Sequence, residues 1–379
     1  MIQKGKKIAM VSDAVYPFNK GGKEKRMYDI TTRLVEKGYE VTIYCMQWWP
    51  KEKGSRIVQD GVILEAISPY YPLYAGNRRS IKEAIFFALN CLKLLNKKFD
   101  VIEVDHMPHL VLFTVKVVCL LKRKKMFVTW HEVWGKEYWK QYLGVAGILA
   151  YWIEKISVRL PDVIVSVSNH TTSALKNILD TKKQIITITN GLDLKSIENS
   201  TPSKLTSDLI FAGRLLPHKN VDVLLKAVSN LKGKKPEISL FVVGEGPELK
   251  KLQTLSIELG IQKNVRFFGF FEDHHEVYGL MKSSQIFVLP STREGFGISA
   301  LEANACGLPI ITTDDEQNAT KELIINGQNG TTINLSEDQI AKAVENILNA
   351  KKDHSVYPKY AEKYNWDNII IEVQKAYNV

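Results

Sequence analysis

Cysteine is scarce in this chain, and long apolar runs are missing. The four cysteines among 379 residues lie far apart in apolar or small-residue surroundings, which favours reduced core thiols over disulfides or a metal site. No stretch reaches the roughly 18 to 20 apolar residues that a membrane-spanning helix needs. The apolar segment after the basic start is too short for a secretory signal. We therefore expect a cytoplasmic protein that does not cross a membrane.

Low-complexity tracts and solenoid repeats are also missing, whereas positive charge is in excess. The formal net charge is +10. Lysines scattered for solubility explain this excess as well as a polyanionic ligand or an anionic membrane surface does. No basic and aromatic nucleic-acid signature accompanies the charge, so we expect no nucleic-acid partner.

Strand-like and helix-like segments alternate along the chain, which is the pattern of parallel α/β architecture. One series of apolar strands runs from about residue 7 to 189 and a second from about 209 to 312, with the polar segment 194–207 between them. We predict two doubly wound parallel-sheet domains, an N-terminal one at 1–195 and a C-terminal one at 205–355. Ligands bind beyond the carboxyl ends of such strands, and two facing edges of this kind would form a cleft.

The segment 291–309 combines a strand end, a glycine-rich turn and the start of a helix. Free backbone N–H groups at such a turn make an anion site. Glu294 in the loop and Glu302 in the helix are out of place beside a phosphate unless they hold hydroxyl groups. A nucleotide sugar, with its sugar, diphosphate and ribose, has the shape that two such carboxylates could grip.

Other polar or glycine motifs follow the predicted strands of the first domain. Gly21 and Gly22 precede a helix and either let backbone N–H groups approach a diphosphate or acceptor, or form an ordinary turn. His131 ends a strand within Trp-His-Glu-Val-Trp-Gly, where it either hydrogen-bonds a sugar hydroxyl or serves structure alone. The motif 190–193, Asn-Gly-Leu-Asp, is a turn at the start of the interdomain connection.

Two cations follow the first strand of the second domain. Arg214 comes directly after Gly213, and Lys219 lies just before the next helix, so the pair is suited to neutralise a diphosphate leaving group. After the next strand, Gly244 and Glu245 form part of a tight turn that ends in Gly246 and Pro247. This turn either walls a nucleotide-base pocket or simply connects a strand to a helix.

Together these motifs resemble those of the retaining glycosyltransferases of family 4, which have the GT-B fold. The resemblance spans nearly the whole chain, and its most specific parts are the two glutamates around Gly295-Phe296-Gly297 and the Gly-Arg-x4-Lys motif at Gly213. It implies an enzyme of polysaccharide or glycolipid biosynthesis that moves a sugar from a UDP- or GDP-sugar to a hydroxyl of a glycan, which is in some members lipid-linked. It also implies that a C-terminal helix, at about 357–379, packs back on the first domain.

The resemblance assigns roles residue by residue. It implies that Glu294 binds donor sugar hydroxyls, that Glu302 holds the ribose and that His131 lies near the donor sugar. The remaining donor-binding positions that it implies are Gly21, Gly22, Arg214, Lys219, Gly244, Glu245, Phe296, Gly297 and Ile298. His131, Glu294, Arg214 and Lys219 form the catalytic set. The family needs no metal or cofactor, and we expect none here.

One loop departs from the family pattern. Where many members carry Asp-x-Gly-Gly and then a glutamate that opens a helix, this chain has Asp-Asp-Glu-Gln-Asn at 314–318. That loop lines the donor side, so the identity of the donor sugar stays open.

The first domain also offers a possible membrane contact. Trp48-Trp49-Pro50-Lys51 and the segment 70–85, with Phe86 and Phe87 after it, mix aromatic and basic residues. This composition suits a lipid-linked acceptor at the inner face of a membrane, but it equally suits ordinary packing of loops and helices.

Two other functional classes remain. A dinucleotide-binding oxidoreductase is disfavoured because no Gly-x-Gly-x-x-Gly follows the first strand. A catalytically inactive GT-B subunit that binds or activates a partner is the stronger rival, and the presence of Glu294, Arg214 and Lys219 argues against it.

Overall fold

Two parallel β-sheets organise the chain, and the computed structural model describes residues 5–76, 78–350 and 353–378. The parts of our expectations that touch residues 1–4, Asn77, 351–352 and Val379 lie outside the described residues.

Strands and helices alternate as the sequence pattern predicts. The strands are β1 (Lys7–Val11), β2 (Glu40–Met46), β3 (Arg56–Gln59), β4 (Val62–Ser68), β5 (Tyr74–Ala75), β6 (Arg78–Arg79), β7 (Val101–Asp105), β8 (Met126–Trp130), β9 (Val163–Ser166), β10 (Gln184–Thr187), β11 (Ser207–Ala212), β12 (Leu240–Val243), β13 (Val265–Gly269), β14 (Ser284–Leu289), β15 (Arg293–Glu294), β16 (Ile310–Thr313), β17 (Gln317–Asn318) and β18 (Gly330–Ile333). The α-helices are α1 (Gly22–Glu36), α2 (Ile81–Asn90), α3 (Leu110–Lys122), α4 (Gly135–Leu143), α5 (Gly147–Ser157), α6 (Asn169–Asn177), α7 (Leu194–Asn199), α8 (Val221–Lys232), α9 (Leu249–Glu258), α10 (His274–Lys282), α11 (Ile298–Ala305), α12 (Glu337–Asn349) and α13 (Trp366–Tyr377). The 3-10 helices are Lys51–Lys53, Cys91–Asn96, Gly144–Ala146, Pro217–Lys219, Ala319–Leu323, His354–Val356, Pro358–Tyr360 and Glu362–Tyr364.

The chain forms two compact units. Unit 1 comprises residues 1–190 and 367–379, and unit 2 comprises residues 191–366.

In unit 1 the described residues form one eight-stranded sheet, in the order β10-β9-β8-β7-β1-β2-β4-β3. All neighbours are parallel except β3 and β4. The strand order runs outwards from β1 in both directions, so the topological switch point lies between β1 and β7. Ligands bind beyond the carboxyl ends of the strands at such a point.

In unit 2 the described residues form a six-stranded parallel sheet, in the order β13-β12-β11-β14-β16-β18. Its switch point lies between β11 and β14. The strands β11 and β14 are apolar along most of their length and buried, as expected for parallel strands covered on both faces. Both sheets are of the doubly wound type that the alternation of elements predicts.

The segment 194–207 is not the irregular connection that its polarity suggests. Residues 194–199 form the short helix α7, and β11 already begins at Ser207. The Asp193 Oδ1 atom accepts a hydrogen bond from the backbone N–H of Ser196 at 3.0 Å, which is a helix N-cap, and Ile197 packs into the interior. The N-cap at Asp193 and the burial of Ile197 therefore stabilise a helix here despite the low apolar content of the segment.

The end of the chain also differs in detail from the expected continuous helix at 357–379. Two 3-10 helices precede α13, which spans Trp366–Tyr377. Within unit 1 the hydroxyl of Tyr377 donates to Glu103, and Gln374 Nε2 donates to the Tyr39 hydroxyl at 3.1 Å. These bonds fasten α13 to the sheet of unit 1.

The described residues contain no helix that is both long and apolar enough to cross a membrane. Of the aromatic residues considered for a membrane contact, Trp49 and Phe87 are buried in the core, whereas Phe86 is exposed. Trp48 is half-buried and donates its indole N–H to the backbone oxygen of Asp13 at 2.9 Å. For Trp49 and Phe87 the structure therefore agrees with the alternative of ordinary packing.

Candidate functional site

The switch point of unit 2 brings together a lysine and a glutamate that are far apart in sequence. Lys219 ends the 3-10 helix that follows β11, and Glu294 lies in β15, just after β14. The Lys219 Nζ atom lies 2.5 Å from Glu294 Oε1, and the two side chains are 14% and 12% exposed. Both predicted catalytic residues therefore form one largely buried ion pair.

Backbone contacts fix the geometry of this pair. The backbone N–H of Thr292 donates to the carbonyl of His218 at 3.0 Å, and the side-chain amide of Asn220 donates to the carbonyl of Pro290 at 2.9 Å. The loop after β11 is thus bonded directly to the loop after β14. Lys219 and Glu294 meet because the two strands are neighbours.

Further cations surround the pair. Burial, together with the positive charges of Arg293, Lys219 and Arg214, lowers the pKa of His218 to about 3, so its imidazole is neutral at physiological pH. Arg214 is exposed and Arg293 is half-buried. The site is a concentration of positive charge, as binding of a diphosphate requires. Sequence reasoning missed His218 and Arg293, although each is the direct neighbour of a predicted residue.

Gly297 starts the helix that carries Glu302. Its φ is +92°, and a Cβ atom here would lie 2.2 Å from Thr320 Oγ1, so only glycine fits. No side chain caps α11. The N–H groups of Ala300 and Leu301 donate to the Gly297 carbonyl, which leaves those of Ile298 and Ser299 available to an anion. Phe296 is buried, with its ring centroid 5.8 Å from that of Tyr364, and only its backbone can contact a ligand.

Glu302 is half-buried on α11. Its Oε1 atom accepts a hydrogen bond from the Tyr278 hydroxyl of α10 at 3.1 Å. This bond orients the carboxylate.

Three glycine turns stand side by side where β11, β12 and β13 end. A Cβ atom on Gly244, whose φ is +130°, would lie 2.0 Å from the Gly213 carbonyl oxygen. The Gly244 N–H donates to Gly269 at 2.7 Å. Glu245 is exposed, and α9 begins at Leu249. Glycine is required at position 244 because the backbone of Gly213 lies so close to it. The glycine turns therefore form a surface without side chains beside the cations.

The unusual loop at 314–318 supports the strand that carries Glu294. β15 pairs with β17 in parallel, with Glu294 opposite Asn318. The buried Asn318 side chain donates to the Thr313 carbonyl at 2.9 Å and accepts from the Thr320 N–H at 3.0 Å. In the part of the chain that is described, no group of three or more His, Cys, Asp or Glu residues is arranged to hold a metal.

The switch point of unit 1 holds a second charged cluster, which sequence reasoning missed. Lys23 Nζ lies 3.0 Å from Asp13 Oδ1 and 2.9 Å from Asp105 Oδ2, and Arg79 donates to the other oxygen of Asp13. Burial alone would lower the pKa of Lys23, but Asp105, Asp13 and Glu24 outweigh it and raise that pKa. Asp13 and Asp105 both follow strand residues, so the rule on strand ends could have found them.

His131 lies at the same edge of the sheet, after β8. Its ring centroid is 5.7 Å from that of His106, and burial lowers its pKa to about 3 despite the opposing charge of Asp105. The imidazole is therefore neutral and suited to hydrogen bonding. It belongs to unit 1, whereas Arg214, Lys219 and Glu294 belong to unit 2.

A buried glutamate holds the loop that follows His131. Glu154 accepts hydrogen bonds from the backbone N–H groups of Trp134 at 2.9 Å and Gly135 at 3.0 Å, and from Trp139 Nε1 at 2.8 Å. Burial raises its pKa. This residue was missed as well, because the three donors come from another helix and loop.

The two remaining glycine motifs are structural as well as candidate binding elements. Gly21 is the N-cap of α1 and Gly22 its first residue, so their backbone N–H groups are at a helix start. In unit 2, Gly191 lies against Trp366, and a Cβ atom there would be 2.4 Å from the indole. The motif at 190–193 is thus the crossing between the units.

Comparison with known proteins agrees with this geometry. The sequence family described as Glycosyltransferase Family 4 matches residues 20–196, and the one described as Glycosyl transferases group 1 matches residues 195–364. Among curated relatives, the gpi3 subunit of phosphatidylinositol N-acetylglucosaminyltransferase from Schizosaccharomyces pombe is 22% identical, over 97% of this chain and 80% of its own. The human relative, which is named as part of the same enzyme, is 25% identical over 81% of this chain, but the match spans only 61% of the human protein.

Solved structures share the fold over nearly the whole chain. Sucrose-phosphate synthase from Thermosynechococcus elongatus superposes with a TM-score of 0.79 at 18% identity, covering 98% of each chain. The Anabaena protein HepE, in complex with UDP and glucose, gives a TM-score of 0.74 at 16% identity, covering 98% of this chain and 99% of its own. The prediction of a two-domain α/β fold of GT-B type is thereby confirmed. The chain belongs to the group 1, family 4 glycosyltransferases, and it is an enzyme of that class.

Proposed function

We propose that this glycosyltransferase moves a sugar, with retention of anomeric configuration, from a UDP- or GDP-sugar to a hydroxyl of a lipid-linked glycan acceptor. The observation that carries the proposal is the ion pair of Lys219 and Glu294, set among Arg214, Arg293 and the uncapped start of α11. Lys219, a cation suited to a diphosphate, is hydrogen-bonded to Glu294, a carboxylate suited to sugar hydroxyls.

In this proposal the donor lies across unit 2. Arg214 and Lys219 bind the diphosphate, together with the backbone N–H groups at the start of α11. Glu294 accepts hydrogen bonds from the sugar hydroxyls, and Glu302 accepts them from the ribose. The glycine turn at Gly244 and Glu245 walls the base.

The chemistry follows from where charge develops. The bond between the anomeric carbon and the diphosphate oxygen breaks, and negative charge grows on the leaving diphosphate. Arg214 and Lys219 bind that charge more strongly as it develops, which lowers the barrier. The acceptor oxygen bonds to the anomeric carbon on the face that the leaving group vacates, and the acceptor proton passes to the departing phosphate. Protein cations supply the charge, so no metal is required.

Unit 1 supplies the acceptor side of the proposal. The neutral imidazole of His131 is suited to a hydrogen bond with a sugar hydroxyl, and the Lys23 cluster lies at the same sheet edge. Both curated relatives carry the name of an enzyme that acts on phosphatidylinositol, which supports a lipid-linked acceptor. The HepE complex with UDP and glucose supports a UDP-sugar. We place the enzyme at the inner face of a membrane, as a peripheral protein.

A panel of UDP- and GDP-sugars tests the proposal. We expect one nucleotide class to raise the melting temperature of the purified protein and to be hydrolysed slowly in the absence of an acceptor. Glu294→Gln and Arg214→Ala should each reduce turnover by about a hundredfold or more. Lys263→Ala and Glu258→Gln alter exposed charges elsewhere in unit 2 and serve as matched controls. Wild-type turnover in both site variants would refute the assignment.

A regulatory subunit without activity is the rival. The relatives named as subunits keep it in view, but the intact Lys219–Glu294 pair favours an enzyme. The rival predicts a shift in melting temperature with a nucleotide sugar but no turnover with any member of the panel.

A further inference from the structure

Three helices of unit 1 expose large apolar side chains. They lie on α2, on the 3-10 helix after it, on α3, and on α5 with the 3-10 helix before it. We call them the apolar face: Ile81, Ile85, Phe86, Leu89, Leu92, Leu95, Val117, Leu120, Leu121, Val145, Ile148, Leu149, Trp152 and Ile156. Leu121 and Leu149 are 67% and 66% exposed, and Trp152 is 50% exposed.

These helices are neighbours, so the exposed side chains share one layer. α3 packs against α2 on one side and α5 on the other. The inner side chains of the layer, such as Phe87, Val115 and Val158, belong to one buried core, which places the apolar face on the opposite side. A surface helix is normally polar on its outer side, and an apolar area of this kind marks a binding surface.

The helices that carry the apolar face expose basic side chains but no acidic ones, because their two glutamates, Glu83 and Glu154, are buried. The sequence has no Asp or Glu between Glu83 and Asp100, between Asp105 and Glu132, or between Glu137 and Glu154. Glu83, Asp105 and Glu154 are themselves buried. The same stretches carry exposed basic side chains at Lys93, Lys98, Arg123, Lys125 and Lys140, and Lys82 lies just before the first stretch. A partner of complementary charge is therefore anionic.

An aromatic and cationic pair within the face indicates what that partner is. Lys155 Nζ lies 5.8 Å above the ring centroids of both Tyr151 and Trp152. Long basic side chains that cover aromatic rings and reach outwards are typical of the water–lipid interface, where rings enter the headgroup layer and ammonium groups meet phosphates.

We propose that the apolar face docks the enzyme on an anionic lipid bilayer, with α2, α3 and α5 lying against the headgroups. Apolar side chains insert shallowly and the surrounding lysines and arginines contact lipid phosphates. The inference deepens the proposed function by naming the surface that brings unit 1 to a lipid-linked acceptor. It also accounts for the exposed lysines and arginines around the apolar face, which are part of the excess positive charge of the chain.

Vesicle flotation with the full chain tests the docking surface. We expect binding to vesicles that contain about 30 mol% phosphatidylglycerol in phosphatidylcholine, weaker binding to pure phosphatidylcholine, and a loss of binding as salt rises. The double variants Leu149→Ser with Trp152→Ser, and Phe86→Ser with Leu89→Ser, should each weaken binding at least about tenfold. Val58 and Ile257 are 67% and 64% exposed outside the face, so Val58→Ser with Ile257→Ser is the matched control.

Two further measurements separate the outcomes. Donor hydrolysis, which needs no membrane, should be unchanged in both face variants, so a failed lipid assay and a failed transferase assignment are distinguishable. Light scattering reports self-association. The proposal is overturned if the wild type ignores anionic vesicles, if the control pair loses as much binding as the face variants, or if the face variants only dissociate an oligomer.

Discussion

Lys219 and Glu294 neutralise each other at the switch point of unit 2, with 2.5 Å between Nζ and Oε1. Under the proposed function, a diphosphate competes with the carboxylate for the ammonium group, and a sugar hydroxyl competes with the ammonium for the carboxylate. Donor binding would then exchange one set of charged hydrogen bonds for another.

Lys219→Met removes the ammonium group and keeps the length of the side chain. A hydrogen bond to a charged group contributes about 1.5 to 3 kcal/mol, so we expect the affinity for the bound nucleoside diphosphate to fall about 10- to 100-fold. Titration calorimetry with UDP and with GDP measures this change. Lys263→Met, at an exposed position in the same unit, should bind as the wild type does, and equal affinities in the two variants would contradict the role of Lys219.

Gly297→Ala tests the backbone at the start of α11. Its φ of +92° and the 2.2 Å approach of a Cβ atom to Thr320 Oγ1 impose both backbone strain and a clash. Gly260 has a φ of +66° with nothing within 4 Å, so Gly260→Ala carries strain alone, about 1 to 2 kcal/mol. We expect Gly297→Ala to lower the free energy of unfolding by a further 1 to 3 kcal/mol or so, measured by urea denaturation. Equal losses would show that Thr320 moves aside freely.

Acid should destabilise unit 1 through His131. Its pKa is about 3 in the folded protein against an ordinary value of 6.5, so between these values the unfolded chain binds more protons. The free energy of unfolding therefore falls as the pH drops below 6.5. We expect His131→Gln to recover on the order of 1 to 2 kcal/mol of that loss near about pH 4.5.

Urea denaturation across pH measures the recovery. His354, which is exposed in unit 2, provides the control variant His354→Gln. If the free energy of unfolding of His131→Gln depends on pH as that of the wild type does, burial of the neutral ring is contradicted.

Much of the site in unit 2 could be predicted because its parts are local in sequence. Glu294, Gly297 and Glu302 lie within one strand, turn and helix, and Arg214 and Lys219 follow one strand. The rule that ligands bind beyond strand ends then places them at one edge. The ion pair itself could not be predicted, because it depends on β11 and β14 being neighbours.

The pairing within the cluster of unit 1 could not be predicted for the same reason. Lys23 meets Asp105 only because β1 and β7 are adjacent in the sheet, and no sequence spacing encodes that order. The apolar face was hidden for another reason: α3 has apolar residues on its exposed side as well as on its core side, so periodicity cannot separate the two sides. The long stretches without acidic residues were the one sequence signal that could have indicated this face.

Glu154→Ala tests whether the buried Glu154 carboxylate stabilises the loop after His131. The fully buried carboxylate accepts three hydrogen bonds, from Trp134, Gly135 and Trp139, and its removal leaves three donors without an acceptor. We expect a loss of about 3 kcal/mol in the free energy of unfolding and a change in tryptophan fluorescence, since two of the donors belong to tryptophans. Glu154→Gln keeps one acceptor oxygen and should lose less.

The matched control is Glu137→Ala, which removes an exposed carboxylate from α4. Donor hydrolysis is the readout that separates support of the loop from general stability. If Glu154 holds the loop that follows His131, then Glu154→Gln should lower turnover at a temperature where the protein is still fully folded, with little change in affinity for the nucleotide. We expect this result because the proposed nucleotide-binding residues belong to unit 2. A change in the loop shifts only His131 and its neighbours. Unchanged turnover in a folded Glu154→Gln variant would limit this residue to a structural role.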